Sequence, residues 1–227
     1  MKTVKTMDRY TETFKTWNKV ASLYQEKFMD LDLYNNTYDF ICRSIAQKNA
    51  KLLEIGCGPG NITQYLLTAR PDFTIFGIDI APNMIELAQR NNPTASFAVM
   101  DSRQIDQIQT KYKYDGIICG FCLPYLSQTE SEKFISDCYH LLNQNGLLYI
   151  SFVEGDPDKS GFQVSSSGDR VYFYFHRLDE LKEHLLKNNF EQIRISRVEY
   201  KRRENDVETH TILTAIKTKT AASNTTV

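Results

Sequence analysis

The sequence predicts a doubly wound α/β fold. Short apolar runs alternate with helix-like segments, a glycine-rich turn closes the first run, and acids stand at the ends of the next two. The runs are 51–56 (KLLEIG), 73–79 (FTIFGID), 95–100 (ASFAVM), 115–120 (DGIICG) and 146–153 (GLLYISFV). Each is brief and rich in Ile, Val, Leu or Phe, as strands buried on both faces must be. Helix-like segments lie between them near 61–69, 82–91 and 128–143. Pro82 suits a first helical turn, where its missing N–H costs nothing. Ser127-Gln128-Thr129-Glu130 is a capping box ahead of the third segment. Such alternation implies right-handed crossovers and a parallel sheet covered by helices on both faces.

The two ends of the chain have a different texture. Phe14, Trp17, Val20, Ala21, Tyr24 and Phe28 recur at the spacing of one amphipathic helix, and a second helix is expected over about Leu33 to Gln47. After the fifth run, a strand-like VYFYF (171–175) precedes a helix near 178–188. Two longer strands follow near 190–199 and 208–217, and their short connection pairs them antiparallel. The expected architecture is a mostly parallel seven-stranded sheet with an antiparallel last strand. Residues 1–48 form N-terminal helices of the same domain, 49–217 form its body, and 218–227 form a flexible tail.

Composition limits the functions to consider. The 227 residues are 41% hydrophobic, enough for one sizeable core, and no repeat or linker divides them. The formal net charge of −1 provides no overall field for a phosphate backbone, so no nucleic-acid partner is expected. The densest basic run, Lys201, Arg202 and Arg203, is flanked by Glu199, Glu204, Asp206 and Glu208 and reads as solvated charge. No apolar run approaches the roughly 20 residues that span a bilayer, and the N-terminus lacks a signal pattern, so a cytoplasmic protein with no membrane partner is expected. The five cysteines, an odd number, are expected as reduced thiols.

The sharpest motif is Leu52-Leu53-Glu54-Ile55-Gly56-Cys57-Gly58-Pro59-Gly60-Asn61. A strand runs into three alternating glycines, which tolerate positive φ and let a ligand approach the backbone. The following helix would aim its N–H groups at that space, at the carboxyl edge of the sheet where ligands of such folds bind. Cys57 reads as a small residue within the turn. The spacing is G-x-G-x-G and not the dinucleotide G-x-G-x-x-G, and no Gly-Lys-Ser/Thr follows as in a P-loop. Asp79 ends the second run, 19 residues after Gly60, where a carboxylate accepts from a ribose diol. Asp101 ends the third, placed to accept from an adenine amino group while the Ser102 N–H faces a ring nitrogen. Together these make a nucleoside site.

LLEIGCGPGNIT, FGIDIAPNMIELAQ, FAVMDS and YDGIICGFCLPYL resemble the successive motifs of class I S-adenosylmethionine-dependent methyltransferases, over roughly residues 48 to 155. The resemblance implies a Rossmann-like fold, S-adenosylmethionine as cofactor and S-adenosylhomocysteine as product. It implies that Gly56, Gly58 and Asn61 line the methionine part, with Glu54 supporting the turn and the amino group. Asp79 would hold the ribose, Ile80 and Met84 would sandwich the adenine, and Asp101 with Ser102 would read its edge. Cys119, Gly120 and Phe121 would face the sulfonium. The N-terminal helices would form a lid, with Trp17, Tyr24 and Phe28 as candidates to reach the ligand.

A sulfonium methyl is already activated, so positioning is the expected catalytic contribution. The catalytic residues are not identified by sequence; Tyr125 and His176 are the candidates, and Tyr172 and Tyr174 share one face of their strand toward a substrate. The Asn/Asp-Pro-Pro-Tyr/Phe motif of DNA adenine methylation is absent, as are the Pro-Cys pair of cytosine methylation and a catechol-type metal cluster. These absences favour a small-molecule acceptor, with O, N, S or C as the atom methylated, no metal, and a monomer or homodimer. Three alternatives remain open at this point: a non-catalytic cofactor-binding module, an NAD-dependent oxidoreductase, and a thiol oxidoreductase using Cys119-Gly120-Phe121-Cys122.

Overall fold

The computed structural model describes residues 8–165, 167–203 and 206–218. Three helices open the chain: α1 (Arg9–Lys19), α2 (Ala21–Phe28) and α3 (Asn35–Ser44). The alternating body follows as β1 (Lys51–Ile55), α4 (Asn61–Ala69), β2 (Thr74–Asp79), α5 (Pro82–Asn91), β3 (Ser96–Val99), β4 (Tyr114–Gly120), α6 (Gln128–Leu141) and β5 (Leu142–Val153). The remainder is β6 (Gly161–Val164), β7 (Arg170–Phe173), α7 (Leu178–Lys187), β8 (Phe190–Arg203) and β9 (Asp206–Lys217).

Seven strands form one sheet in the order β3-β2-β1-β4-β5-β9-β8. The pairings from β3 to β5 are parallel, and β9 runs antiparallel to both of its neighbours. The one reversed strand is thus the last, as expected. The chain winds outward from β1 to β3, then returns to place β4 on the other side of β1. That reversal opens a crevice at the carboxyl ends of β1 and β4. Successive side chains point to opposite faces. Leu53, Ile55, Ile117 and Ile150 pack with Phe134 and Leu181 on one face. Leu52, Ile118 and Tyr149 pack with Ile41, Ile62 and Leu66 on the other. Burial on both sides is why these strands read as nearly continuous apolar runs.

Three expectations need correction. The single amphipathic helix over 14–28 is two helices, because Val20 leaves helical geometry at φ −94° and ψ 11°. The break turns both apolar faces onto α5, where Phe14, Trp17 and Tyr24 surround Ala81 and Met84. The strand at 171–175 stops at Phe173. There the Tyr174 N–H donates to the Pro124 carbonyl at 2.7 Å and the Phe175 N–H donates to Ser160 Oγ at 3.1 Å, drawing the chain out of the ladder. Its partner β6, which completes a separate hairpin, carries no strong apolar run and was not expected. The capping box holds: Ser127 accepts from the Glu130 N–H and the Glu130 carboxylate accepts from the Ser127 N–H. Lys201 lies exposed on edge strand β8, while Glu204 and the tail from residue 219 fall outside the described residues. Among the described residues no helix is long and apolar enough to cross a membrane.

Candidate active site

A cavity of about 830 Å³ opens over the ends of β1, β2 and β4. Its floor is the glycine turn. Gly56, Gly58 and Gly60 hold φ of 69°, 54° and 82°, the left-handed region that favours glycine. A Cβ on Gly56 would stand 2.7 Å from Cys122 Cβ, and one on Gly60 would stand 2.4 Å from Asn92 Nδ2. The Gly56 and Cys57 N–H groups both donate to the Ile78 carbonyl, which ties the turn to β2. Gly60, the N-cap of α4, has no side chain to accept from the first-turn N–H groups, and the Thr63 N–H donates to the Glu54 carboxylate instead.

Two carboxylates flank this turn. Asp79 accepts from the Gly58 N–H at 3.0 Å and from the Ala81 N–H at 2.9 Å, one bond to each oxygen. Each oxygen keeps a lone pair for a further donor. Burial raises its pKa, and the backbone N–H groups of Ala81, Gly58 and Ile80 oppose the rise. Glu54 is 1% exposed, and Thr63 Oγ1 donates to its Oε2. Its Oε1 is buried with no hydrogen-bond partner. Burial pushes the Glu54 carboxyl up to about 8, against the lowering effect of Thr63. An unpartnered buried carboxylate oxygen beside a glycine turn is a place for a cationic donor.

Most residues singled out by sequence meet here. Glu54, Gly56, Cys57, Gly58, Asn61 and Asp79 line the cavity, as do Ile80, Met84, Asp101, Ser102, Gly120 and Phe121. Trp17, Tyr24, Phe28, Tyr125, Tyr172 and Tyr174 line it from above. Tyr172 and Tyr174 do share a face, with ring centroids 4.8 Å apart. The roof is fastened to the hairpin: the Tyr172 N–H donates to Thr13 Oγ1 at 2.9 Å, and Lys19 pairs with Asp169 at 2.8 Å.

Three placements differ from expectation. Cys119 does not line the cavity; its side chain is 0% exposed among Ile117, Ile150 and Phe152 on the opposite face of the sheet. Cys122, two residues past the end of β4, lines the cavity instead. Burial drives the Cys119 thiol pKa well up, the reverse of what a reactive cysteine needs, which removes support for the thiol oxidoreductase. His176 is also outside the cavity. It is buried beside Phe152, its Nε2 donates to the Leu123 carbonyl at 3.1 Å, and burial lowers its pKa. Asp101 does reach the cavity, but both of its oxygens are engaged by the Arg103 guanidinium, at 2.9 and 2.5 Å to Oδ2. That pair leaves the carboxylate little capacity for an adenine amino group, a role the sequence assigned to it.

Arg103, Tyr200, Glu208 and His210 line the same cavity and were not picked out by sequence; Tyr34, one of the N-terminal aromatic residues, lines it as well. Arg103 lies 4.1 Å above the ring of Tyr10, whose hydroxyl donates to Glu130 Oε2 at 2.6 Å. The spacing of Glu208 and His210, two apart on an expected strand, was the one available signal for a shared face.

Residues 52–146 match the family model of a methyltransferase domain. That segment is similar to the class I S-adenosylmethionine-dependent methyltransferases. Among curated relatives it is similar to the malonyl-[acyl-carrier protein] O-methyltransferase of Acetivibrio thermocellus, 42% identical over 102 residues, covering 44% of this chain and 34% of that protein. It is also similar to the carboxy-S-adenosyl-L-methionine synthase of Campylobacter hominis, 28% identical over 114 residues, covering 50% of this chain and 48% of that protein. The chain spans about half the length of the first curated relatives that it matches. In fold it is similar to the magnesium protoporphyrin IX methyltransferase of Synechocystis, solved with bound S-adenosylmethionine: TM-score 0.68, 19% identity, 95% of this chain and 100% of that one. The glycine turn, Asp79 and the end of β4 all belong to the matched segment, whereas the roof and β6–β9 lie outside it.

Proposed function

We propose that this protein transfers a methyl group from S-adenosylmethionine to a small-molecule acceptor held in the aromatic part of the cavity. The observation that carries this is the pairing of Glu54 Oε1, buried and unpartnered, with the Asp79 carboxylate at one glycine turn. The residues fit the cofactor. Glu54 would accept from the α-ammonium group, and the positive N-terminal end of α4 would meet the carboxylate. Asp79 would accept from the ribose hydroxyls, with Ile80 and Met84 against the adenine and the Ser102 N–H at its edge. When bound, the cofactor supplies a sulfonium methyl that needs no further activation. The remaining work belongs to the chain: the roof of α1, α2 and the β6–β7 hairpin excludes water and holds the acceptor in line. A cavity roofed in this way suits a small acceptor better than a polymer.

Calorimetric titration with S-adenosylmethionine, S-adenosylhomocysteine and NAD tests the reading. Micromolar binding of both adenosyl ligands and none of NAD is the expected result. Absence of binding by both adenosyl ligands would overturn it. Transfer of a labelled methyl group to an acceptor separates an enzyme from a mere cofactor-binding module.

A further inference from the structure

Beyond the glycine turn, the cavity wall holds a hydrogen-bonded chain of three side chains. The Tyr34 hydroxyl lies 2.6 Å from His210 Nδ1, and His210 Nε2 lies 3.3 Å from Glu208 Oε2. A carboxylate only accepts, so Glu208 fixes the proton on Nε2 and turns the Nδ1 lone pair toward Tyr34. The Tyr34 O–H therefore donates to Nδ1. The imidazole cannot swing away: Tyr200 stacks on it at 5.0 Å with 15° between planes, and the Phe121 ring edge meets it at 4.6 Å. Phe121 directly follows β4, holds a left-handed φ of 55°, and donates its N–H to Ser151 Oγ at 3.0 Å. Backbone strain of this kind persists where surrounding structure enforces it, often at functional sites. The chain of groups thus abuts the strand end where the reactive part of the cofactor would lie. All three members line the cavity, unlike His176.

We propose that Tyr34, His210 and Glu208 form a proton relay that deprotonates an aromatic hydroxyl acceptor during methyl transfer. This deepens the function proposed above and rests on it. The Tyr34 oxygen takes the acceptor proton as its own proton passes to His210 Nδ1. The acceptor oxygen bonds the methyl carbon, and the electrons of the broken C–S bond return to sulfur. The positive charge that leaves sulfur reappears on the imidazolium beside Glu208, so the site's net charge is unchanged. The proton leaves His210 for solvent after the products depart. Hydroxyl acceptors need such a relay, whereas carboxylates and thiolates reach the site already ionised. The rings of Tyr34, Phe121 and Tyr200 give a planar aromatic acceptor surfaces to stack on.

The test measures transfer from methyl-labelled S-adenosylmethionine to 4-methylphenol and 2-naphthol, which are protonated at neutral pH, and to 4-nitrothiophenol, which is already a thiolate there. Wild type is compared with Tyr34→Phe, His210→Gln and Glu208→Gln. Binding of S-adenosylhomocysteine to each is expected to stay within about twofold, since these residues lie outside the glycine turn. Phenol methylation is expected to fall about 100-fold in Tyr34→Phe and His210→Gln, with the thiol rate nearly unchanged. Equal losses on phenols and thiol, no loss on either, or no transfer by wild type to either phenol would overturn the relay. Failure of wild type to bind the adenosyl ligands would instead overturn the methyltransferase reading itself. Nitrogen NMR of the histidine rings gives a check independent of turnover: Nε2 protonated and Nδ1 bare is expected for His210, and a protonated Nδ1 in the neutral ring would refute the relay.

Discussion

The two sides of the cavity are assembled differently. The side assigned to the cofactor comes from residues 54–102, where each functional group sits at a strand end, in the turn after it or in the first turn of the next helix. The other side gathers Tyr10 and Tyr34 from the N-terminal helices, Tyr125 from after β4, Tyr172 from the β6–β7 hairpin, and Tyr200 and His210 from β8 and β9. Its hydrogen bonds span great lengths of chain: Tyr10 to Glu130 across 120 residues and Tyr34 to His210 across 176. The first side is a local backbone device repeated along the sheet; the second exists only once the helices close over it. Cofactor chemistry can therefore be constant while acceptor choice changes with the roof.

The sharpest way to break this contrast is Asp79→Ala. The variant loses a ribose acceptor and frees the Gly58 and Ala81 N–H groups, so cofactor affinity should fall about 100-fold, measured by calorimetry. A loss under threefold would mean that the turn does not depend on this carboxylate.

His176→Leu comes next in size and should act on stability alone. It removes a buried hydrogen bond to the Leu123 carbonyl, for a loss of about 1–3 kcal/mol in denaturant unfolding. Cofactor affinity should stay within about twofold; a large drop in turnover would return His176 to the catalytic candidates.

Glu54→Gln sharpens the cofactor side through pH. Because burial raises the folded-state pKa to about 8, the stabilisation from this carboxyl is full below its unfolded-chain pKa and is lost as pH rises through about 8. Wild-type stability should decline relative to the variant by on the order of 1 kcal/mol per pH unit between about pH 6 and pH 8. Parallel pH profiles would contradict the burial argument.

The smallest effect is expected from Tyr10→Phe at the roof. Losing the bond to Glu130 should raise the acceptor KM a fewfold, cost about 1 kcal/mol, and speed hydrogen exchange in α1, with cofactor affinity unchanged.

These contrasts explain what could be read in advance. The strands of the parallel sheet are buried on both faces, so Leu52, Leu53, Ile117 and Ile118 announce themselves as apolar runs whatever their partners. Gly56, Gly58 and Asp79 are legible because the turn needs positive φ and a carboxylate at a fixed place on the next strand. Cys119 was misplaced because alternation along β4 sends its side chain to the far face, and the unbroken apolar stretch Ile117-Ile118-Cys119 leaves no mark of its phase in the sequence. The engagement of Asp101 was hidden too, since nothing in Asp101-Ser102-Arg103 says that the guanidinium will turn back onto the acid.

By itself, the sequence determined the alternating order of elements, the glycine turn and the carboxylates beside it, because these depend on backbone geometry and on residues near one another in the chain. Only the tertiary structure decided that helix α1 fastens to a hairpin at 161–173 and that Tyr34, His210 and Glu208 share a wall. The reason is physical: hydrogen bonds and ring contacts between distant segments have no period in sequence, and they form only after the sheet has fixed where each segment stands.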